Sequence, residues 1–228
     1  MASRAVTARQ MRALDSAARK QFNIPELILM EHAGLAVAKA VMAVLRKQRR
    51  RNGSVLVLAG SGANGGDGFV AARHLNNAGV PVQVILLADP GKLKGAAKTN
   101  LQIIRKLKVP VMTIRIPLAW NVWVKKRPRI LMVVDAMLGI GASGPVREPF
   151  RTVIQWLNQS ASPVIAVDLP SGLCADTGEP QGVTVEATTT VTCGLPKIGL
   201  QNSTGRAYAG RVIVADISLP RVLMESAG

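Results

Sequence analysis

The chain has 228 residues, with 29 Lys and Arg against 13 Asp and Glu and a formal net charge of +16. A hydrophobic content of 48% excludes a disordered chain and suffices for the core of a single domain over residues 1–228. Two cysteines, Cys174 and Cys193, distant in sequence from His32 and His74, exclude a disulfide scaffold and a zinc site, and read as free thiols of a reducing cytoplasm.

In chain order, residues 7–21 read as a helix. The Arg-rich start MASRAVTARQMRALDSAARK has the look of a transit peptide, but Asp15 and the helical spacing of Met11, Leu14 and Ala18 assign it to the fold. A second helix is expected over 26–46, where His32 is read as a packed or capping residue. The run Arg46, Lys47, Arg49, Arg50 and Arg51 follows, placed in a solvated loop. SVLVLAG (54–60) reads as a buried strand and 66–78 as a helix ended by the turn at Asn77, Ala78 and Gly79, with His74 on its surface. Strand 82–88, helix 93–107 and strands 109–116 and 129–136 come next, the last preceded by a loop with Lys125, Lys126, Arg127 and Arg129. A helix over 147–158, strand 163–169 and late strands 188–194 and 211–217 complete the pattern. No apolar run such as VLVLAG or ILMVVDAMLGIG reaches the roughly 20 residues of a membrane helix, so no membrane association is expected. The basic surplus suits a basic surface or an anionic ligand. Sequence-specific nucleic-acid binding is disfavoured, because a chain that is 3% aromatic offers few stacking platforms.

Strand–helix alternation with continuously apolar strands predicts an α/β fold, a mostly parallel sheet with helices on both faces. Ligands bind such sheets at the carboxyl ends of the strands. Three strands end in polar or Gly-rich loops, LAG-SGANGGDG, VVDA-MLGIGASG and AVD-LPSG, and a parallel sheet opens all three on one edge. Gly60, Gly62 and Gly65 satisfy GxGxxG between a strand and a helix, where backbone N–H groups and the helix dipole receive an anion. No GK[ST] follows, so this is not a Walker loop. An ordinary dinucleotide-binding dehydrogenase explains the loop too, with Asp89 at the end of the next strand as its ribose acid.

Asp135 ends an apolar strand, and an acid there needs a partner, a cation or a hydrogen-bonding role. Gly139, Gly141 and Gly144 suggest a second backbone segment close to a ligand. Asp168 ends the next strand, with Ser171 three residues on. Two acids at neighbouring strand ends serve metal binding or acid–base work, and magnesium with a phosphate substrate stays open. Lys197, in GLPKIGL, sits in a loop fixed by Gly and Pro, where it contacts a phosphate or assists proton transfer.

Together the segments TARQMRALD (7–15), LILMEHAG (27–34), GSGANGGDG (60–68), VDAMLGIG (134–141), AVDLPSGLCADTG (166–178) and TVTCGLPKIGL (190–200) resemble the YjeF N-terminal domain family of NAD(P)H-hydrate epimerases, in order over nearly the whole chain. The resemblance implies a Rossmann-like three-layer fold and a cytoplasmic repair isomerase. Its substrate is NADHX or NADPHX, hydrated NADH or NADPH, whose R and S forms it interconverts at C6 for a separate dehydratase. At this length a stand-alone epimerase without a fused dehydratase domain is expected. Carried onto this chain, the family's substrate loop falls on Asn64, Gly65, Gly66 and Asp67. Its second substrate segment falls on Gly139, Ile140, Gly141, Ala142, Ser143, Gly144 and Pro145, and its substrate-binding acid on Asp168. Its potassium ligands fall on Asn64, Asp135 and Ser171. The family often forms homodimers, although no interface signal is read here. Chemistry adds that one carboxyl near C6, Asp168, donates a proton to the departing hydroxide and recovers it from the returning water, assisted by Lys197. Three positions depart from the family: Ala63 and His32 where Asn is common, and Cys174 where Asp is common. Some relatives are RNA- or protein-binding scaffolds, which keeps a non-catalytic scaffold as an alternative beside the NAD-dependent oxidoreductase.

Overall fold

Stretches of Val, Ile and Leu that are apolar on both faces form one sheet, because only a sheet covered on both sides buries such strands. The structure is a computed structural model and describes residues 4–47 and 52–226; Arg49, Arg50 and Arg51 lie outside the described residues. The elements run α1 (Ala8–Phe22), α2 (Glu26–Lys47), β1 (Ser54–Ala59), α3 (Ala63–Asn77), β2 (Val82–Leu86), α4 (Gly95–Lys106), β3 (Val111–Thr113), α5 (Pro117–Lys126), β4 (Ile130–Ala136), α6 (Phe150–Asn158), β5 (Val164–Val167), β6 (Thr189–Cys193), α7 (Ser203–Ala209), β7 (Arg211–Ala215) and α8 (Arg221–Ser226). All strand pairings are parallel, in the order β3-β2-β1-β4-β5-β6-β7. The chain winds outward from β1 to β3 and then returns to β4 on the other side of β1. The carboxyl ends of β1 and β4 therefore form the switch-point crevice of a Rossmann-like α/β fold.

Alternation along each strand divides the core in two. Val55, Val57, Val84, Met132 and Val134 face α2, α3 and α4. Leu56, Leu58, Ile85 and Val133 face α5 and α6, where Trp120, Trp123 and Trp156 stack on one another at centroid distances of 5.0, 5.2 and 6.4 Å. Among the described residues, α2 alone is long and apolar enough to cross a membrane, with a mean hydropathy of 1.7. In this fold it lays Met30, Val37, Ala38 and Val41 into the core beside α3. A search for unbroken apolar runs passes over it, because Glu31, His32 and Lys39 interrupt it. α1 carries a capping box between Thr7 and Gln10, which fixes where this first helix begins.

Three expectations shift. The helix expected over 66–78 starts at Ala63, so Asn64, Gly65, Gly66 and Asp67 form its first turns and are not a loop. The strand expected over 109–116 shortens to the edge strand β3, and the unassigned stretch after it is helix α5, opened by Pro117 at its first turn. The basic residues Arg46, Lys47, Lys125 and Lys126 are exposed, as expected, but they occupy the last turns of α2 and α5, where cations complement the helix dipole.

The glycines explain the early start of α3. A Cβ on Gly65 would lie 2.0 Å from the Gly60 carbonyl oxygen, and one on Gly68 2.6 Å from the Ala136 Cβ. The helix is thus seated against the ends of β1 and β4 more closely than any side chain allows. Gly65→Ala is expected to overpack this contact by about 1–3 kcal/mol, lowering Tm by roughly 2–4 °C per kcal/mol for a chain of this size. A thermal melt unchanged from wild type contradicts the seating argument.

Candidate active site

The loops after β1, β4 and β5 enclose, with α1 and α2, a cavity of about 610 Å³ at the carboxyl edge of the sheet. Its floor carries a buried ion pair. Lys197 is fully buried, and its ammonium donates to Asp168 Oδ1, to the Cys193 carbonyl at 2.8 Å and to Thr192 Oγ1 at 3.2 Å. Asp168 Oδ1 also accepts from the Cys193 amide at 3.0 Å and from the Thr192 hydroxyl at 3.3 Å. The Lys197 backbone is tied to the amino-terminal segment, where Val6 N–H donates to Pro196 O at 2.9 Å and Ile198 N–H to Val6 O at 3.1 Å. Asp168 itself adopts φ of 64°, a left-handed backbone that Asp tolerates better than most residues. With three acceptors on its three protons, Lys197 has no donor left for a phosphate.

Behind the cavity wall, Asp135 is fully buried at the end of β4. Its carboxylate accepts from Ser171 N–H at 2.8 Å, the Ser171 hydroxyl at 2.6 Å and Met137 N–H at 3.3 Å. Ser171 Oγ in turn accepts from Leu138 N–H at 2.9 Å, and Asn64 Nδ2 donates to Leu138 O at 3.1 Å. Asn64, Asp135, Ser171 and Leu138 thus place four oxygen-bearing groups, from the start of α3, the end of β4 and the loop after β5, in one contiguous network. Burial pushes the Asp135 carboxyl up to about 6, with the Ser171 hydrogen bonds opposing.

Two further carboxyls face the cavity, Asp15 from α1 and Asp67 from α3. Burial pushes Asp15 up to about 6, and the neighbouring Asp168 carboxylate adds to the shift while Lys197 and Arg19 oppose it. Burial also drives Asp67 well above the usual carboxylate range, reinforced by Asp168 and Asp15. Arg12, one turn before Asp15, donates to Ile140 O at 2.9 Å and so links α1 to the second loop. At the mouth, the first turn of α3 has no side-chain cap, and the space over Gly62 is open, which presents free backbone N–H groups.

The structure brings Asn64, Asp67, Gly139, Ile140, Gly141, Ala142, Asp168 and Lys197 to one cavity. Gly65 and Gly66 lie buried beneath it, filling the helix seat. Ser143, Gly144 and Pro145 continue the second loop outside the lining and are exposed. Asp135 and Ser171 lie behind the wall. Asp15 was missed as a site residue: its sequence context marks only the polar edge of an amphipathic helix, and the signal was its place in TARQMRALD. Asp89 does not reach the cavity lining. It caps a short 3₁₀ turn by accepting from Gly91 N–H at 2.9 Å and faces Arg115 at 3.6 Å, so it is not a ribose acid here. His32 is exposed within α2, with Nδ1 3.0 Å from Ile28 O on its own helix, so it is neither packed nor at a helix end where it would cap. His74 is half-buried against Glu31 at 2.7 Å, where a free surface position was expected, because α2 covers that face of α3. Cys174 and Cys193 are both free thiols.

Fold and site together define a Rossmann-like α/β protein with an acid-lined cavity at its switch point. The chain belongs to the family described as YjeF-related protein N-terminus, whose pattern matches residues 26–199. It is 39% identical over 220 residues to a protein of Limosilactobacillus fermentum named NAD(P)H-hydrate epimerase, covering 95% of this chain and 98% of that one. It is 40% identical over 225 residues to the bifunctional NAD(P)H-hydrate repair enzyme Nnr of Moorella thermoacetica, covering 97% of this chain but only 42% of that protein. The chain thus spans about two fifths of the bifunctional relatives it matches. A crystal structure of the yeast protein ynu0, YNL200c, superimposes with a TM-score of 0.81 at 27% identity, covering 99% of this chain and 93% of that one.

Lys197→Met removes the partner of a buried carboxylate and is expected to destabilise the fold by about 3–5 kcal/mol. Adding Asp168→Asn is expected to recover part of that loss, and a denaturant double-mutant cycle with no coupling contradicts the pair. For Asp15 the sign follows from its raised pKa. The folded state holds the proton between about 3.8 and 6 where the unfolded chain has released it, so stability declines as pH rises through that window. Asp15→Asn is therefore expected to melt higher than wild type at pH 7.5 and to lose that advantage near pH 4. Melting curves with the opposite trend refute the assignment.

Proposed function

We propose that the chain epimerises the R and S forms of hydrated NADH and NADPH at C6 of the nicotinamide ring, a nucleotide-repair isomerase acting in the cytoplasm. The observation that carries this reading is Asp168, fixed by Lys197 at the floor of the cavity, in a chain similar over nearly its whole length to a protein named NAD(P)H-hydrate epimerase. The cavity volume of about 610 Å³ lies in the range of small-molecule sites.

C6 of the substrate bears a hydroxyl and is bonded to the ring nitrogen. Loss of hydroxide, with the nitrogen lone pair forming C=N, gives an iminium, and water returning to the other face gives the epimer. Asp168 accepts the proton of that returning water. Lys197 touches Asp168 and not the substrate, and acts as a positioning residue. Asn64, Asp67 and the segment Gly139–Pro145 hold the substrate, with the diphosphate at the uncapped start of α3.

Asn64, Asp135 and Ser171 would hold a potassium ion. The donor set fits: all are oxygen ligands suited to a hard cation, and Asn64 Oδ1 accepts no hydrogen bond from any described residue. Bound there, the ion would tie the three loops together. A dehydratase that consumes the S form is the implied functional partner; the longer relatives are named bifunctional NAD(P)H-hydrate repair enzymes.

A coupled assay tests the reading: R-hydrate is supplied with a dehydratase specific for the S form, in potassium chloride or choline chloride of equal ionic strength. Conversion well above the spontaneous rate, faster in potassium, and lowered on the order of 10²–10⁴-fold by Asp168→Asn is expected. No acceleration by the wild-type chain refutes the function, and equal rates in both salts refute the potassium site.

A further inference from the structure

Resting on the epimerase reading, we propose that Asp15 is a second catalytic carboxyl, the proton donor to the departing C6 hydroxyl, paired with Asp168 as the proton acceptor. Inversion at C6 needs a proton delivered as hydroxide leaves one face and a proton removed as water arrives on the other. A single side chain has to serve both faces in turn, whereas two carboxyls from separate elements divide the work. The cavity supplies both: Asp15 projects from α1 and Asp168 from the end of β5.

Their surroundings assign the roles. Asp168 is the anion of an ion pair, with Oδ1 taken up by the Lys197 ammonium, the Cys193 amide and the Thr192 hydroxyl, which keeps it ionised and leaves Oδ2 as the atom that accepts a proton. The Asp15 carboxyl receives no hydrogen bond from any described protein group, since Arg19 Nε donates instead to the Asp15 backbone carbonyl at 3.3 Å. It lines the cavity with its carboxyl available to bond a ligand hydroxyl. The charged groups facing it are Asp168 and Lys197 from the floor, Arg19 on its own helix and Glu26 at the start of α2. Asp67 and Arg12 line the same cavity. Burial and the Asp168 carboxylate raise Asp15 to about 6, so about a tenth of it is protonated at pH 7, far more than for a carboxyl at its ordinary value.

The step balances. The Asp15 proton passes to the C6 hydroxyl oxygen as the C6–O bond breaks, releasing water, and the N1 lone pair forms the iminium. Water adds at the other face, its proton passing to Asp168 as the C=N electrons return to nitrogen. One proton has moved from Asp15 to Asp168 and is restored by exchange with solvent. The reverse reaction uses the two carboxyls in exchanged roles.

The test is the pH profile of R-to-S conversion by wild type, Asp15→Asn and Asp15→Glu, with folding checked by circular dichroism. Wild-type kcat is expected to fall as pH rises past the Asp15 pKa, because the donor ionises. Asp15→Asn is expected to lower kcat on the order of 10²–10⁴-fold with KM little changed, and to abolish that limb. Asp15→Glu is expected to keep the limb and part of the activity. Asp15→Asn with kcat within about threefold of wild type, or a slowed enzyme that keeps the limb, overturns the proposal. A wild-type chain without epimerase activity overturns the underlying function instead.

Discussion

The site depends on one buried charge pair. An ammonium with no solvent exposure is tolerable only if each of its protons finds an acceptor, and the acceptors of Lys197 come from the ends of β5 and β6. Satisfying Lys197 therefore holds two strand ends in register with the loop that follows β6. The amino-terminal segment is drawn in as well, because Val6 pairs with the Lys197 backbone before α1 begins. α1 then carries Arg12 to the second loop and Asp15 to the cavity. A left-handed Asp168 persists in this setting because its amide, which donates to Val191 O at 2.8 Å, and its side chain are both fixed.

The glycine run works in a way its pattern did not announce. GxGxxG suggests a tight turn whose backbone N–H groups approach an anion, and Gly60, Gly65 and Gly68 also serve close contact between α3 and the ends of β1 and β4. Close seating has a functional consequence. It brings Asn64 within reach of Leu138 O, and so couples the first loop to the Asp135–Ser171 network beneath the second and third. Ala63 is exposed at the helix start and takes no part in that coupling.

Continuous apolar strands made the parallel sheet legible, and the parallel sheet made the convergence of three loops legible, since strand polarity alone decides which edge a loop occupies. Asp135 and Asp168 stood out because an acid ending an apolar strand demands a partner. What stayed hidden were relations across long sequence separations. The Gly and Pro around Lys197 marked a fixed loop but not its burial, which is a property of β5, β6 and Val6 together. Asp15 reads as the polar edge of an amphipathic helix until α1 is docked over the cavity. Asp89 was the opposite case, a residue at the right spacing whose side chain is consumed by a local turn. α5 escaped because its three-tryptophan packing partner lies partly on α6, some 30 residues away by sequence. That same packing buries aromatic surface that single-stranded nucleic acid would need, which weakens the scaffold alternative.

Charge is distributed against the average. A chain of net charge +16 gathers Asp15, Asp67 and Asp168 around one cavity, with Lys197 as the buried counter-ion. Crowding carboxyls in low dielectric works against folding, and Asp15 and Asp67 answer by holding protons more tightly. The arrangement gains its sense from the proposed chemistry. In the proposed binding mode the uncapped N–H groups at the start of α3 hold the dinucleotide's diphosphate, and the nicotinamide ring lies inward beside Asp168. That ring becomes a cation as hydroxide leaves. In the proposed reaction the Asp168 carboxylate, held ionised by Lys197, stabilises that developing positive charge more than the neutral ground state and needs no reorganisation to do so. On the proposed function, the basic exterior gathers an anionic substrate from solution, while the acidic interior receives the one part of it that turns positive.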